Sequence, residues 1–109
     1  MFGFLDMIGT YEERKVANDV VNEVTIDTAM VTDSYKPYET GISGKMYNNG
    51  DWIIVELYDT KEEAIIGHNK WTELFNSDLP ETLTDVNTSE IGKLLKVFKP
   101  EVEIHAKNG

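Results

Sequence analysis

The stretch from residue 52 to residue 75, WIIVELYDTKEEAIIGHNKWTELF, constrains the fold more than any other part of the chain. Its first residues, as far as Tyr58, are almost continuously apolar, which is typical of a strand buried within a sheet. The residues that follow carry apolar side chains at helical spacing. The stretch therefore predicts a central strand, followed at once by a helix that packs on the sheet.

The acidic residues between these two elements predict where the helix begins. Asp59 with Glu62, or Thr60 with Glu63, has the spacing of a capping box. Acidic side chains also favour the positive N-terminal end of a helix. We interpret this cluster, which Glu56 completes, mainly as a helix cap. The alternative, a carboxylate pair for acid–base catalysis, needs burial to separate the two pKa values.

One face of the predicted helix is a stripe formed by Ala64, His68, Trp71 and Phe75. Gly67 lies beside this stripe, although glycine inside a helix costs about 1 kcal/mol relative to alanine. A glycine at this position indicates that the sheet or a partner packs closely against the helix. Gly67 and His68 are therefore the two residues whose presence helix formation alone does not explain.

Three further segments predict strands of the same sheet: 15–19, 24–31 and 38–46. The alternation in the second of them places Val24, Ile26, Thr28 and Met30 on one face. The turn before it is predicted at residues 18–19 or at residues 22–23. Asn48-Asn49-Gly50-Asp51 is the strongest hairpin signal, because Asn-Gly tolerates positive φ angles.

The last third of the chain predicts a second helix and a final strand. Thr88-Ser89 caps the helix, which carries an apolar stripe and ends before Pro100. Residues 79–83 are predicted as a short turn or a single helical turn before a loop. Alternation from Val102 to Ala106 predicts a strand at a sheet edge. The predicted fold is α+β, one compact domain (1–109) with a small, mostly antiparallel sheet covered on one face by two helices.

The chain has 10 basic and 20 acidic side chains, a net charge of −10. Binding to a phosphate backbone needs clustered Lys and Arg, so no direct nucleic-acid binding is expected.

The absence of cysteine excludes disulfides and cysteine-ligated zinc. No run approaches the roughly 20 apolar residues of a membrane span, so no membrane association is expected. The apolar N-terminus and exposed edge strands predict a homo-oligomer, a dimer or higher.

Two groups of residues are candidates for ligand binding. Tyr35, Lys36, Tyr38 and Glu39 surround Pro37 in a polar, aromatic loop, and such loops often carry function. The alternative is that these tyrosines anchor the loop to the sheet. His68 and Trp71 adjoin on one helix face and together could hold a planar ligand. The alternative for them is a packed core position with a hydrogen-bonded imidazole.

No established catalytic or metal-binding pattern is present in the sequence. There is no Gly-rich phosphate loop, no HExxH motif and no EF-hand spacing. The second histidine, His105, has no matching carboxylate motif, so no metal site and no cofactor are expected. An enzymatic role would depend on His68 with Glu39 or Glu56 as acid and base.

The chain resembles a family of small tailed-phage and prophage proteins. The resemblance covers most of the chain as far as about residue 98 and is carried by the segments MFGF, YExRKV, IDTAxVTDS, KPYETG, YNxGxWIIVE, DTKE, GHxxW and LTDV. It implies a viral gene product that works inside a bacterial host. It implies no particular activity.

Three functions follow as hypotheses. The first is a non-enzymatic phage protein in the host cytoplasm that inhibits a host protein or sequesters a small, nucleotide-like molecule of defence signalling. The second is a structural or assembly-associated virion component. The third is a small enzyme that acts on nucleotides. Fold and family do not decide among them, because function depends on the site.

Overall fold

The structure, a computed structural model, describes residues 11–32, 36–86 and 102–107. A short helix precedes three strands: α1 (Tyr11–Arg14), β1 (Lys15–Val21), β2 (Val24–Met30) and β3 (Tyr38–Ser43). The remaining elements are β4 (Ile53–Tyr58), the long helix α2 (Lys61–Ser77), β5 (Thr82–Asp85) and β6 (Val102–His105).

The first four strands form one antiparallel sheet, in which neighbours in sequence are neighbours in space: β1-β2-β3-β4. The register aligns two rows of residues across the sheet on the side that faces the long helix. One apolar row joins Ile26, Ile42 and Ile53. The next row joins Thr28 and Thr40 to β4 at Glu56.

The prediction of two helices covering the sheet is wrong. Within the described residues, one long helix, α2, packs on the four-stranded sheet, and a separate two-stranded antiparallel sheet, β5–β6, stands beside it. Residues 82–85 form a strand rather than a turn because Leu83 faces the shared core and pairs with Ile104 of β6. The second predicted helix lies outside the described residues.

The prediction that the strand after Trp52 is central is also wrong, because β4 lies at the edge of the four-stranded sheet. Its apolar run arises from packing on both faces. Ile53 is buried under α2, whereas Trp52 and Ile54 cover Gly41 of β3 on the opposite face. A Cβ atom at Gly41 would lie 3.1 Å from Trp52 Cε3. The apolar pattern therefore reports two-sided contacts, not a central position.

Asparagine residues with positive φ form both of the turns that were predicted within the sheet. Asn22 and Glu23, at φ angles of 50° and 68°, connect β1 to β2, which confirms the second of the two proposed positions. Asn48 and Asn49 also have positive φ angles, of 49° and 56°. They form a single 3-10 turn inside a longer connection, rather than a two-residue hairpin loop.

The core beneath the C-terminal half of α2 is apolar. Phe75 and Tyr47 are fully buried there, with ring centroids 6.0 Å apart. The Tyr47 hydroxyl donates to the Pro80 carbonyl oxygen at 2.5 Å, which ties the end of the helix to the connection before β4. The other buried members of this cluster are Val24, Ile26, Ile42, Ile53, Val55 and Leu83.

Candidate functional site

A capping box fixes the start of α2 beside β4. The Thr60 hydroxyl accepts from the Glu63 backbone N–H at 3.1 Å, and the Glu63 carboxylate accepts from the Thr60 N–H at 3.3 Å. The same carboxylate accepts from the Asp59 N–H at 3.1 Å. This arrangement confirms the second of the two predicted cap pairs and gives Glu63 a structural role.

Gly67 brings the helix backbone into contact with Tyr58 of β4. A Cβ atom built at Gly67 would overlap the Tyr58 ring and hydroxyl. Both residues are buried. The close approach inferred from the glycine is therefore made by the sheet.

The imidazole of His68 lies inside the protein, 1% exposed, and both of its nitrogens are hydrogen bonded. Nε2 lies 2.7 Å from Asp19 Oδ2 on β1. Nδ1 lies 2.7 Å from Thr28 Oγ1 on β2. The helix is thereby joined to two strands through a single side chain.

The hydrogen bonds continue from Thr28 across the rest of the sheet. The hydroxyls of Thr28 and Thr40 are 2.5 Å apart, and both side chains are fully buried. The Thr40 hydroxyl lies 2.9 Å from the Tyr58 hydroxyl. Tyr58 in turn donates to Glu56 Oε1 at 2.9 Å. We call this series, from Asp19 through His68, Thr28, Thr40 and Tyr58 to Glu56, the transverse chain.

Glu56 ends the transverse chain and also binds α2. Lys70 Nζ donates to its two carboxylate oxygens at 2.7 and 2.9 Å, and Trp71 Nε1 donates to Oε1 at 2.8 Å. Partial burial acts to raise the pKa of Glu56. The hydrogen bonds from Lys70, Trp71 and Tyr58 outweigh burial and hold that pKa below its usual value.

The pKa of Tyr58 is shifted upward, in the opposite direction to that of Glu56. Burial raises the pKa of Tyr58 well above its usual value, and the neighbouring Glu56 carboxylate raises it further. The phenol therefore keeps its proton at neutral and moderately alkaline pH, and it remains a donor to Glu56.

A cleft of about 330 Å³ lies outside this network, between β4 and the first turns of α2. Two lysines line it: Lys36, which bonds to Asp59 at 3.4 Å, and Lys70. Ile66, which is 70% exposed, adds apolar surface. The other lining residues are Glu56, Leu57, Tyr58, Glu63 and Gly67.

The structure distributes the sequence-predicted site residues among different environments. Lys36 lines the cleft, whereas His68 is enclosed in the transverse chain. Trp71 is half-buried, bonds to Glu56 and packs against Phe75 at 6.2 Å between ring centroids. Tyr35 lies outside the described residues.

Tyr38 and Glu39, the remaining candidates, project from opposite faces of β3. Tyr38 pairs with Tyr58 on the face covered by α2, and Glu39 pairs with Leu57 on the other face. Glu39 is therefore not brought together with His68, as the enzymatic hypothesis requires.

The sequence alone does not identify Asp19, Thr28 or Thr40 as partners of His68. It predicts Asp19 only as the end of the first strand or as a turn residue. A usable signal was present at Thr28, because the strand alternation places its hydroxyl on an otherwise apolar, helix-facing surface. A buried hydroxyl needs a hydrogen-bond partner, and His68 is a polar side chain on the facing helix.

Within the described ranges, no group of three or more His, Asp or Glu side chains is arranged to hold a metal ion. In the same ranges, no helix has both the length and the apolar character to cross a membrane.

Comparison with known proteins adds no assignment. No family model matches the chain, and neither a curated protein nor a solved structure matches it.

Proposed function

We propose that this chain is a non-enzymatic binding protein, encoded by a phage, that acts in the host cytoplasm. It inhibits a host protein or sequesters a small, nucleotide-like defence-signalling molecule, and the cleft beside α2 is its recognition site. One observation carries the proposal. His68, the residue on which catalysis would depend, is enclosed by hydrogen bonds, while charged side chains line a cleft beside it.

The arrangement of the potential acids and bases favours binding over catalysis. A general base must come within hydrogen-bond reach of its substrate, and His68 is 1% exposed. Glu56 accepts from three side chains, and its lowered pKa makes it a weak proton acceptor at neutral pH. Glu39 lies on the opposite face of the sheet. None of the three therefore combines access to a molecule in the cleft with the ability to take up a proton at neutral pH.

The lining of the cleft indicates the kind of ligand that it would accept. The ammonium groups of Lys36 and Lys70 now contact Asp59 and Glu56, and a phosphate or carboxylate would compete for them. Ile66 offers apolar surface to the rest of such a molecule. An anionic ligand with an apolar or aromatic part, such as a nucleotide, combines these features.

Native mass spectrometry of the protein recovered from infected bacteria tests the proposal. The wild type is expected to carry additional mass, which Lys36→Gln and Lys70→Gln lose. Lys61→Gln is the matched control, because Lys61 is exposed on the same helix and does not line the cleft. The added mass distinguishes a small molecule from a host protein, and the same spectrum reports the expected homo-oligomer.

Equal occupancy in all four proteins, or no added mass in the wild type, would contradict the proposed site. Two further measurements address the other functions. Detection of the chain in purified virions would favour the structural role. Turnover in a panel of nucleotides, lost in His68→Ala, would favour the enzyme.

A further inference from the structure

The transverse chain contains more hydrogen bonds than its neutral members have protons to fill. Five contacts of 2.5–2.9 Å connect Asp19 to Glu56. A neutral imidazole, two threonine hydroxyls and one phenol supply one proton each, four in all. An ionised carboxylate only accepts. With both end groups ionised, one of the five contacts would lack a proton.

The direction of donation can be followed from the Glu56 end. Glu56 is ionised, since its pKa is held low, so Tyr58 donates to it. Thr40 must then donate to Tyr58, and Thr28 to Thr40, because each hydroxyl has a single proton. His68 Nδ1–H consequently donates to Thr28.

The last contact, between His68 Nε2 and Asp19 Oδ2, is left without a proton if the imidazole is neutral. Two lone pairs would then face each other at 2.7 Å. An additional proton removes this conflict, and an imidazole ordinarily binds a proton more tightly than a carboxylate does.

We propose that the transverse chain binds one additional proton at neutral pH, which resides on His68 as an imidazolium ion paired with the Asp19 carboxylate. The helix-facing side of the sheet thus contains a proton-binding site whose occupancy is set by groups at both ends of the chain. As the pH rises and the proton leaves, one of the five contacts is broken, and the attachment of α2 to β1 weakens.

Other charged groups on this side of the sheet are few among the described residues. Within β2 the helix-facing side chains are apolar or threonine, so β2 adds no ionisable group. The titratable groups that the other packed elements contribute to this side are Asp19 from β1, Tyr38 from β3, Glu56 and Tyr58 from β4, and Lys70 from α2 itself.

Nitrogen-15 NMR of the imidazole rings tests the proposal, because the imidazolium ion and the two neutral tautomers have different shifts. Wild-type His68 is expected to be an imidazolium at neutral pH. In Asp19→Asn the new amide N–H donates to Nε2, so His68 is expected to be neutral with its proton on Nδ1. In Tyr58→Phe the phenol is lost, and the three protons that remain fill the three contacts that remain. Thr40 then donates to Thr28, and Thr28 to Nδ1, so the proton of neutral His68 is expected on Nε2.

The opposite tautomers in the two variants distinguish the chain from a local effect at either end. Glu73→Gln removes one negative charge at an exposed position of α2 and is the control for Asp19→Asn. It is expected to leave the protonation state of His68 unchanged. His105, whose side chain is 70% exposed, is an internal reference that neither substitution should alter. A neutral wild-type His68, or the same tautomer in both variants, would overturn the proposal. The wild-type result stands even if one variant does not fold.

Discussion

At Gly67 two residue-scale effects oppose each other when a methyl group is added. Alanine is favoured over glycine within a helix by about 1 kcal/mol. The methyl group would, however, overlap the Tyr58 ring, and that ring is held by bonds from its hydroxyl to Thr40 and Glu56. Overpacking of this kind costs about 1–3 kcal/mol and displaces the ring from its bonds. The steric effect should therefore be the larger.

Gly67→Ala is accordingly expected to lower the free energy of unfolding by about 1–2 kcal/mol, measured by urea denaturation. Asn69→Ala, at an exposed position of the same helix, is the control and should leave stability unchanged or slightly raised. A Gly67→Ala protein that gains as much stability as Asn69→Ala would show that Tyr58 does not pack against the helix backbone.

The sequence could indicate that Gly67 and His68 were unusual, but not what they contact. Both can be recognised from neighbouring residues alone. Gly67 is disfavoured by helix propensity, and His68 is the one polar residue in an apolar stripe. Their partners, Tyr58, Asp19 and Thr28, come from three different strands. Which strand lies under which turn of the helix depends on sheet order and register, which a local pattern does not specify.

At the scale of elements, two predictions that rest on backbone chemistry are confirmed, the Thr60–Glu63 cap and the turn at Asn22 and Glu23. Each depends on residues close together in sequence. The hairpin predicted at residues 48–51 is instead a 3-10 turn, although its asparagines do have positive φ angles. The position of β4 is mispredicted because an apolar run records contacts on both faces of a strand. Trp52, although 53% exposed, covers Gly41 and supplies one of these contacts without a neighbouring strand.

The contact between α2 and β4 is expected to depend on pH through Glu56. Its pKa is lower in the folded protein than in the unfolded chain. Glu56 therefore stabilises the fold above the unfolded pKa of about 4.3, and this contribution is lost as the pH falls through the folded value. In urea denaturation, Glu56→Gln should be less stable than the wild type at neutral pH, and the difference should shrink as the solution is acidified.

Glu73→Gln is the matched control, because Glu73 is exposed on α2 and the substitution removes an equal charge. It should follow the wild-type stability over the same pH range. A stability difference for Glu56→Gln that stays constant or grows toward low pH would contradict the assigned direction of the pKa shift.

At the scale of the whole molecule, Glu56 belongs both to the interior and to the proposed recognition site. It ends the transverse chain and also lines the cleft, where it holds Lys70. A ligand that draws Lys70 away from Glu56 would therefore change the charge balance of the chain that ends at Asp19. Because such coupling is reciprocal, the proton on His68 should in turn affect ligand affinity.

The central claim, that one connected chain of hydrogen bonds joins the two edges of the sheet, is tested most directly by a double-mutant cycle at neutral pH. Asp19 and Tyr58 lie on β1 and β4, three strand spacings or about 14 Å apart. Residues at such a separation normally contribute additively, within about 0.5 kcal/mol. Unfolding free energies of the wild type, Asp19→Asn, Tyr58→Phe and the double variant should instead show a coupling of about 1 kcal/mol or more, because both substitutions change the direction of donation in the same chain. Additive effects would contradict a connected chain.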